Sequence, residues 1–128
     1  MFEGVVQFHK EILNQPAPEK PTVLDEEMLT ERFDFLMEEL TEFEAASTDG
    51  DLVGATDGLL DLIYVALGTL YLMGVPADQV WQFVQDANMR KVRGDTHRGN
   101  VYDAAKPPGW VKPDVEIKKL LDELNDKT

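Results

Sequence analysis

The chain has 128 residues, enough to bury a core of its own, with 25 acidic against 12 basic residues and a net charge of −13. That balance argues against a nucleic-acid or anionic-membrane binder, and the absence of cysteine leaves no disulfide framework and no thiolate metal site. A start of "MFEGVVQFHKEI" lacks the basic and apolar run of a secretory signal, so a reducing, cytoplasmic setting is the expectation.

The first predicted helix runs from Phe2 to about Asn14. "QPAPEKP" (Gln15–Pro21) follows as a proline-rich connector that cannot be helical. The second helix spans about Asp25 to Ala46. Its stripe Leu29, Phe33, Leu36, Leu40 and Phe43 has the spacing of one packed face. "STDGD" (Ser47–Asp51) is a turn with cap candidates for a third helix that reaches about Met73, where "GVP" ends it. The fourth helix is about Ala77–Lys91, with Val80, Trp81, Phe83 and Val84 turned inward. Val92–Asp114 is too long and irregular for a plain connector and reads as a functional, basic loop. A last helix over about Val115–Leu124 packs through Ile117, Leu120, Leu121 and Leu124. No period-2 strand pattern is present. The expected class is one all-α domain over residues 1–128, a bundle of four to five helices. The third helix is apolar nearly all round, too much for so few neighbours to cover, which predicts a homo-oligomer with that helix near the interface. Its run Leu59–Met73 falls short of the roughly 20 apolar residues of a membrane span.

Charge is placed unevenly. From Asp25 to Asp61 there are thirteen acids and one base, Arg32; from Arg90 to Lys112 there are six bases and two acids. Such a pairing suits metal cations and the phosphates they neutralise. Asp57 and Asp61 are the sharpest anomaly, because a carboxylate amid apolar residues must protonate or find a cation. Asp61 is deep in the helix, whereas Asp57 could be a first-turn charge. On the second helix Glu38, Glu39 and Glu42 can converge. At about 100° per residue Glu39 lies roughly 80° and Glu42 about 140° from the apolar stripe, with Glu38 nearly opposite it. Antiparallel packing of these two helices brings four or five acids level, an all-oxygen set suited to Mg²⁺ or Mn²⁺. A di-iron bundle is set aside, since neither His9 nor His97 has a glutamate three residues before it.

"EELTE" (Glu38–Glu42), "DGLLDLIYVALGTLYLMGVP" (Asp57–Pro76), "VVQFHKEI", "ANMRK" and "KPPGWVKPD" together resemble the MazG-like all-α nucleoside triphosphate pyrophosphohydrolases. The single-domain branch of dUTP pyrophosphatases and small phage enzymes is the nearest. The resemblance implies a helical bundle assembled as a dimer or a tetramer. It implies Mg²⁺-dependent hydrolysis of an NTP or dNTP to the monophosphate and pyrophosphate; the residues leave the base open between purines such as dGTP or GTP and pyrimidines such as dUTP, with a weak preference for a purine and no residue that carries it. Glu38, Glu39, Glu42 and Asp61 fall on the family's metal positions, with Glu38 or Glu39 as the general base. The family often carries a glutamate where this chain has Gly58, and Asp57 is the substitute that offers itself. Asn88 and Lys91 match the family's nucleotide-contacting Asn-x-x-Lys. Arg93, Arg98, Lys106 and Lys112 are phosphate candidates by charge. His9 matches "FH" and is either a packing residue or near the base, and Trp110 is a loop anchor or a stacking platform. The rival reading is an acidic helical interaction protein that imitates nucleic acid without catalysis, which the −13 charge favours and the basic loop does not.

Overall fold

A computed structural model describes residues 1–94 and 102–126, so the candidates His97 and Arg98 lie outside the described residues. The elements in order are α1 (Phe2–Glu11), α2 (Glu26–Thr48), α3 (Leu52–Leu72), α4 (Ala77–Met89), β1 (Val92–Arg93), β2 (Ala104–Ala105) and α5 (Asp114–Asp126). The expected all-α class holds. Its one departure among the described residues is the two-residue antiparallel ladder Val92–Ala105 and Arg93–Ala104, set in the stretch read as an irregular loop. The chain divides into two compact units, Met1–Ala77 and Asp78–Thr128.

In the first unit α2 and α3 form an antiparallel hairpin whose ends are written in local chemistry. The Asp25 carboxylate accepts the Met28 N–H at 2.8 Å, and Glu26 and Glu27 sit at the positive end of the helix dipole. Gly50, at φ 71°, closes the helix, and the Asp51 N–H returns to the Ala46 carbonyl at 2.8 Å. Asp51 then caps α3 by accepting the Gly54 N–H at 3.0 Å. Gly74, at φ 70°, ends α3. α1 stops at Glu11 rather than near Asn14, because Asn14 takes a positive φ of 51° and the Gln15 N–H turns back to the His9 carbonyl. The proline-rich connector lies along the end of α3. The Tyr71 hydroxyl donates to the Gln15 carbonyl at 2.8 Å, and the Thr22 N–H donates to the Met73 carbonyl. Replacing Asp25 with Ala removes a cap and is expected to cost about 1 kcal/mol, read as a lower urea midpoint at unchanged slope.

The face of α2 that meets α3 is not the predicted stripe. Glu39 is buried and Arg32, Leu36, Phe43 and Ala46 are half-buried, while Leu29, Leu40 and Phe33 (59% exposed) face out of the single chain. The packed row is thus turned about three residues from the apolar one and shares only Leu36 and Phe43 with it. α3 likewise leaves Leu59, Leu60 and Ile63 exposed in the single chain, while Val65, Tyr71 and Leu72 are buried. By length and composition alone this 21-residue helix, whose most apolar 18-residue window has a mean hydropathy of 1.4, is long enough to cross a membrane, a property that the core helices of soluble proteins share. The core of the unit is Val5, Val65, Tyr71, Leu72, Val75 and Ala77.

In the second unit Ala87 is buried and Phe83 and Val84 are half-buried. Trp81, expected to point inward, is 65% exposed. Nothing in the spacing of α4 separates a tryptophan that packs within the chain from one that faces outward. The Trp110 indole N–H donates to the Ala87 carbonyl at 2.7 Å, which ties the loop to α4 and makes this side chain an anchor. The expected apolar row of α5, Ile117, Leu120, Leu121 and Leu124, is half-buried.

Candidate active site

The register of the α2–α3 hairpin is set by small residues. A Cβ on Gly58 would lie 3.1 Å from both the Cα and the N of Phe43, and one on Gly54 would lie 3.1 Å from the Ala46 Cβ. Backbones this close leave no room for the glutamate that the resemblance suggests at position 58. One turn further along α3, Asp61 comes level with Glu39 and Glu42. One carboxylate oxygen from each of these three residues lies within 4.8 Å of the others.

Glu39 is 7% exposed, and its Oε2 is buried without a hydrogen-bond partner. Loss of solvation raises the Glu39 pKa above the ordinary carboxylate range. The Glu42 charge, a hydrogen bond with Glu42 and the charges of Asp61 and Glu38 push it further the same way. An orphaned buried carboxylate oxygen beside two more carboxylates is a costly arrangement without a cation. Hard oxygen donors in this number suit Mg²⁺ or Mn²⁺, which bind a few carboxylates and keep waters for a substrate. The residues present therefore fit a divalent ion.

Two other predicted ligands stand apart from this group. Asp57 lies one turn before Asp61, about 6 Å back along the axis, and is exposed. It is the sixth residue of α3, beyond the first turn, and Asp51 holds the cap, so it is not the first-turn charge considered from sequence either. Glu38 is exposed and acts on Glu39 through its charge.

The pH dependence follows in sign. Glu39 holds its proton to higher pH when folded than when unfolded. Metal-free protein therefore loses stability as pH rises from the unfolded carboxylate range, near 4.3, through the raised Glu39 value. A divalent ion that binds the ionised group offsets that loss. The melting-temperature gain from Mn²⁺ is expected to be small at the acid end and to grow across this window. A gain that is flat or shrinks with rising pH would contradict the assignment of the ion to Glu39.

Glu39 and Asp61 line a cleft of about 290 Å³ whose other walls include His9, Arg32, Phe35, Tyr64 and Val65. His9 is 3% exposed, and its Nδ1 lies 2.9 Å from the Val5 carbonyl, which can only accept, so Nδ1 carries the proton. The His9 ring also packs on Phe8 and on Tyr71, so it has the packing role and lines the cleft as well. Arg32 was noted in the sequence only as a lone base. Its Nε donates to the Thr69 hydroxyl and its Nη2 to the Val65 carbonyl, both at 3.0 Å, and burial lowers its pKa. Its place as the single base in a long acidic run was the available signal. Phe35 and Tyr64 carried none beyond their odd positions among polar or core residues.

In the second unit the ammonium groups of Lys91 and Lys106 each lie 5.2 Å from the centre of the Trp110 ring. Asn88 is exposed, and its carbonyl accepts the Lys91 N–H at 3.1 Å. Arg93 is exposed on β1. Lys112 borders a different hollow, beside Asp86, Arg90 and Glu116.

Comparison with known proteins finds no match among curated proteins. A family model described as phosphoribosyl-ATP pyrophosphohydrolase matches residues 5–88, well over half of the chain, and takes in most of α1, all of α2 and α3 with Glu39, Glu42 and Asp61, and α4 up to Asn88. Helical architecture, a carboxylate group that fits a divalent ion and this match agree: the chain belongs to the phosphoribosyl-ATP pyrophosphohydrolase family, an all-α family of nucleotide pyrophosphohydrolases.

Proposed function

We propose that the chain is a Mg²⁺-dependent nucleoside triphosphate pyrophosphohydrolase, with Mn²⁺ able to replace Mg²⁺. It converts an NTP or dNTP to the monophosphate and pyrophosphate and belongs to the MazG-like single-domain branch with the dUTP pyrophosphatases and phage enzymes. The observation that supports this most is the partnerless buried Oε2 of Glu39 amid Glu42 and Asp61. Glu39, Glu42 and Asp61 would hold the ion, with Asp57 as a supplementary ligand when substrate is bound. When bound, the ion neutralises phosphoryl oxygens and lowers the pKa of a water. Glu38, which is exposed and bears on Glu39 through its charge, would accept the proton of a water directed at the α-phosphorus, which leaves Glu39 to binding. Asn88, Lys91, Arg93, Arg98 and Lys106 are assigned to the anionic polyphosphate by charge and hydrogen-bonding capacity. His9, Phe35 and Tyr64, which line the cleft, would flank the nucleoside.

A homodimer or homotetramer fits the uncovered apolar rows, Leu29, Phe33 and Leu40 of α2 and Leu59, Leu60 and Ile63 of α3. Neither nucleic acid nor a membrane is a partner in this reading, and the setting is cytoplasmic. The −13 charge opposes polyanions, and α3 carries Asp61 and takes the Arg32 hydrogen bond at mid-length.

The test is pyrophosphate release from each common NTP and dNTP, dUTP and phosphoribosyl-ATP, with Mg²⁺ or Mn²⁺. Release that EDTA abolishes is expected. No release from any nucleotide, with tight binding to a DNA-binding protein, would instead establish the acidic mimic. Turnover of phosphoribosyl-ATP alone would overturn the triphosphate assignment.

A further inference from the structure

Arg32 is half-buried and tied down on one side. One edge of its guanidinium is fixed, Nε to the Thr69 hydroxyl and Nη2 to the Val65 carbonyl. Thr69 is itself locked by donating to the same Val65 carbonyl at 2.7 Å. The Phe35 ring lies under the plane, 5.5 Å from Cζ to the ring centre. A guanidinium has five N–H groups and these bonds use two. Among the described residues no hydrogen bond or ion pair uses the rest, so both N–H of Nη1 and one of Nη2 remain available. The side chain lines the same cleft as Glu39 and Asp61. Arg32 and Glu39 are seven residues apart, hence on one face of α2 and about 10 Å apart along it. A sugar between a phosphate and a base spans a comparable length. With the reacting phosphate at the acids, the base edge falls at Arg32, between aromatic walls.

We infer that Arg32 selects the base by donating a pair of hydrogen bonds to an edge made only of acceptors, so the preferred substrates are 6-oxopurine nucleotides, those of guanine and hypoxanthine. The inference rests on the pyrophosphohydrolase reading and deepens it. Guanine offers O6 and N7 side by side, the geometry that a guanidinium fork matches. Adenine keeps N7 but presents an amino donor at position 6, which meets a group that can only donate. A pyrimidine with a carbonyl at position 4 offers a single acceptor and fills less of the space between Phe35 and Tyr64. The tie to Thr69 and Val65 fixes the fork before substrate arrives, so little rotamer freedom is lost on binding.

The experiment measures kcat/KM on the wild-type chain with dGTP, dITP, 7-deaza-dGTP and dATP, then repeats it with Arg32→Lys. In the wild type, dGTP and dITP should be alike, and both should exceed 7-deaza-dGTP and dATP by about tenfold or more. In Arg32→Lys, which keeps the charge but not the fork, dGTP should fall to the level of dATP, chiefly through KM, so that the preference for guanine over adenine is lost. Equal or better turnover of dATP, indifference to loss of N7, or a fall of dITP to the dATP level overturns the assignment of Arg32. So does an equal loss on every base in the variant, which marks a purely structural tie between α2 and α3. If the variant does not fold, the wild-type analogue series decides alone. Absence of turnover with every nucleotide would sink the pyrophosphohydrolase reading itself, a result distinct from turnover without base preference.

Discussion

Alanine at Asp61 or at Glu39 is expected to lower metal-dependent turnover at least about a thousand-fold, since a bound ion contributes several kcal/mol of charge stabilisation. The fold should survive. Both positions serve the carboxylate group rather than the apolar core, so the circular-dichroism spectrum of the variants should match the parent. Glu39→Gln separates the roles further. It keeps the shape, removes the charge that burial disfavours, and gives the partnerless oxygen's neighbour a donor toward Glu42 or Asp61. Metal-free Glu39→Gln should therefore be at least as stable as the parent at neutral pH, yet gain little from Mn²⁺. Glu38→Gln should show the opposite pattern, with a large loss of turnover and a retained Mn²⁺ shift. Full activity in either alanine variant, or an undiminished Mn²⁺ shift in Glu39→Gln, would remove these residues from the metal site.

Gly58→Ala should destabilise the chain by about 1–3 kcal/mol, although alanine exceeds glycine in helix propensity by about 1 kcal/mol. The opposing term is steric. The new methyl would sit 3.1 Å from the Phe43 N and Cα and 3.3 Å from its Cβ. Backbone atoms within α2 cannot swing aside, so relief requires the two helices to separate. Separation there also moves Asp61, three residues on, away from Glu39 and Glu42. The variant should thus lose both melting temperature and Mn²⁺ affinity, whereas Gly4→Ala, where a Cβ meets nothing within 4 Å, should do neither. A more stable Gly58→Ala would mean the hairpin is looser than these distances state.

Local chemistry was legible in the sequence because its causes are local. Asp25, Asp51, Gly50 and Gly74 mark helix ends by their own side chains or lack of them, and the helices begin and end within a few residues of expectation. Asp61 was legible too, since a carboxylate in an apolar helix implies a cation wherever that helix packs. Glu39 and Glu42 followed once the short turn forced α2 and α3 antiparallel. Tertiary structure decided the rest. The apolar row Leu29, Phe33 and Leu40 has the spacing of a packed face, but spacing does not say against what, and here α3 takes the row through Arg32, Glu39 and Ala46 instead. Glycines at 54 and 58 let that row come close at Ala46 and Phe43, which no count of hydrophobic residues reveals. The same register left Asp57 outside the carboxylate group, and it brought Arg32 to Val65 and Thr69, 33 and 37 residues distant in the chain. Periodicity reports which side of a helix is apolar; only the closest approach of two backbones determines which side is inside.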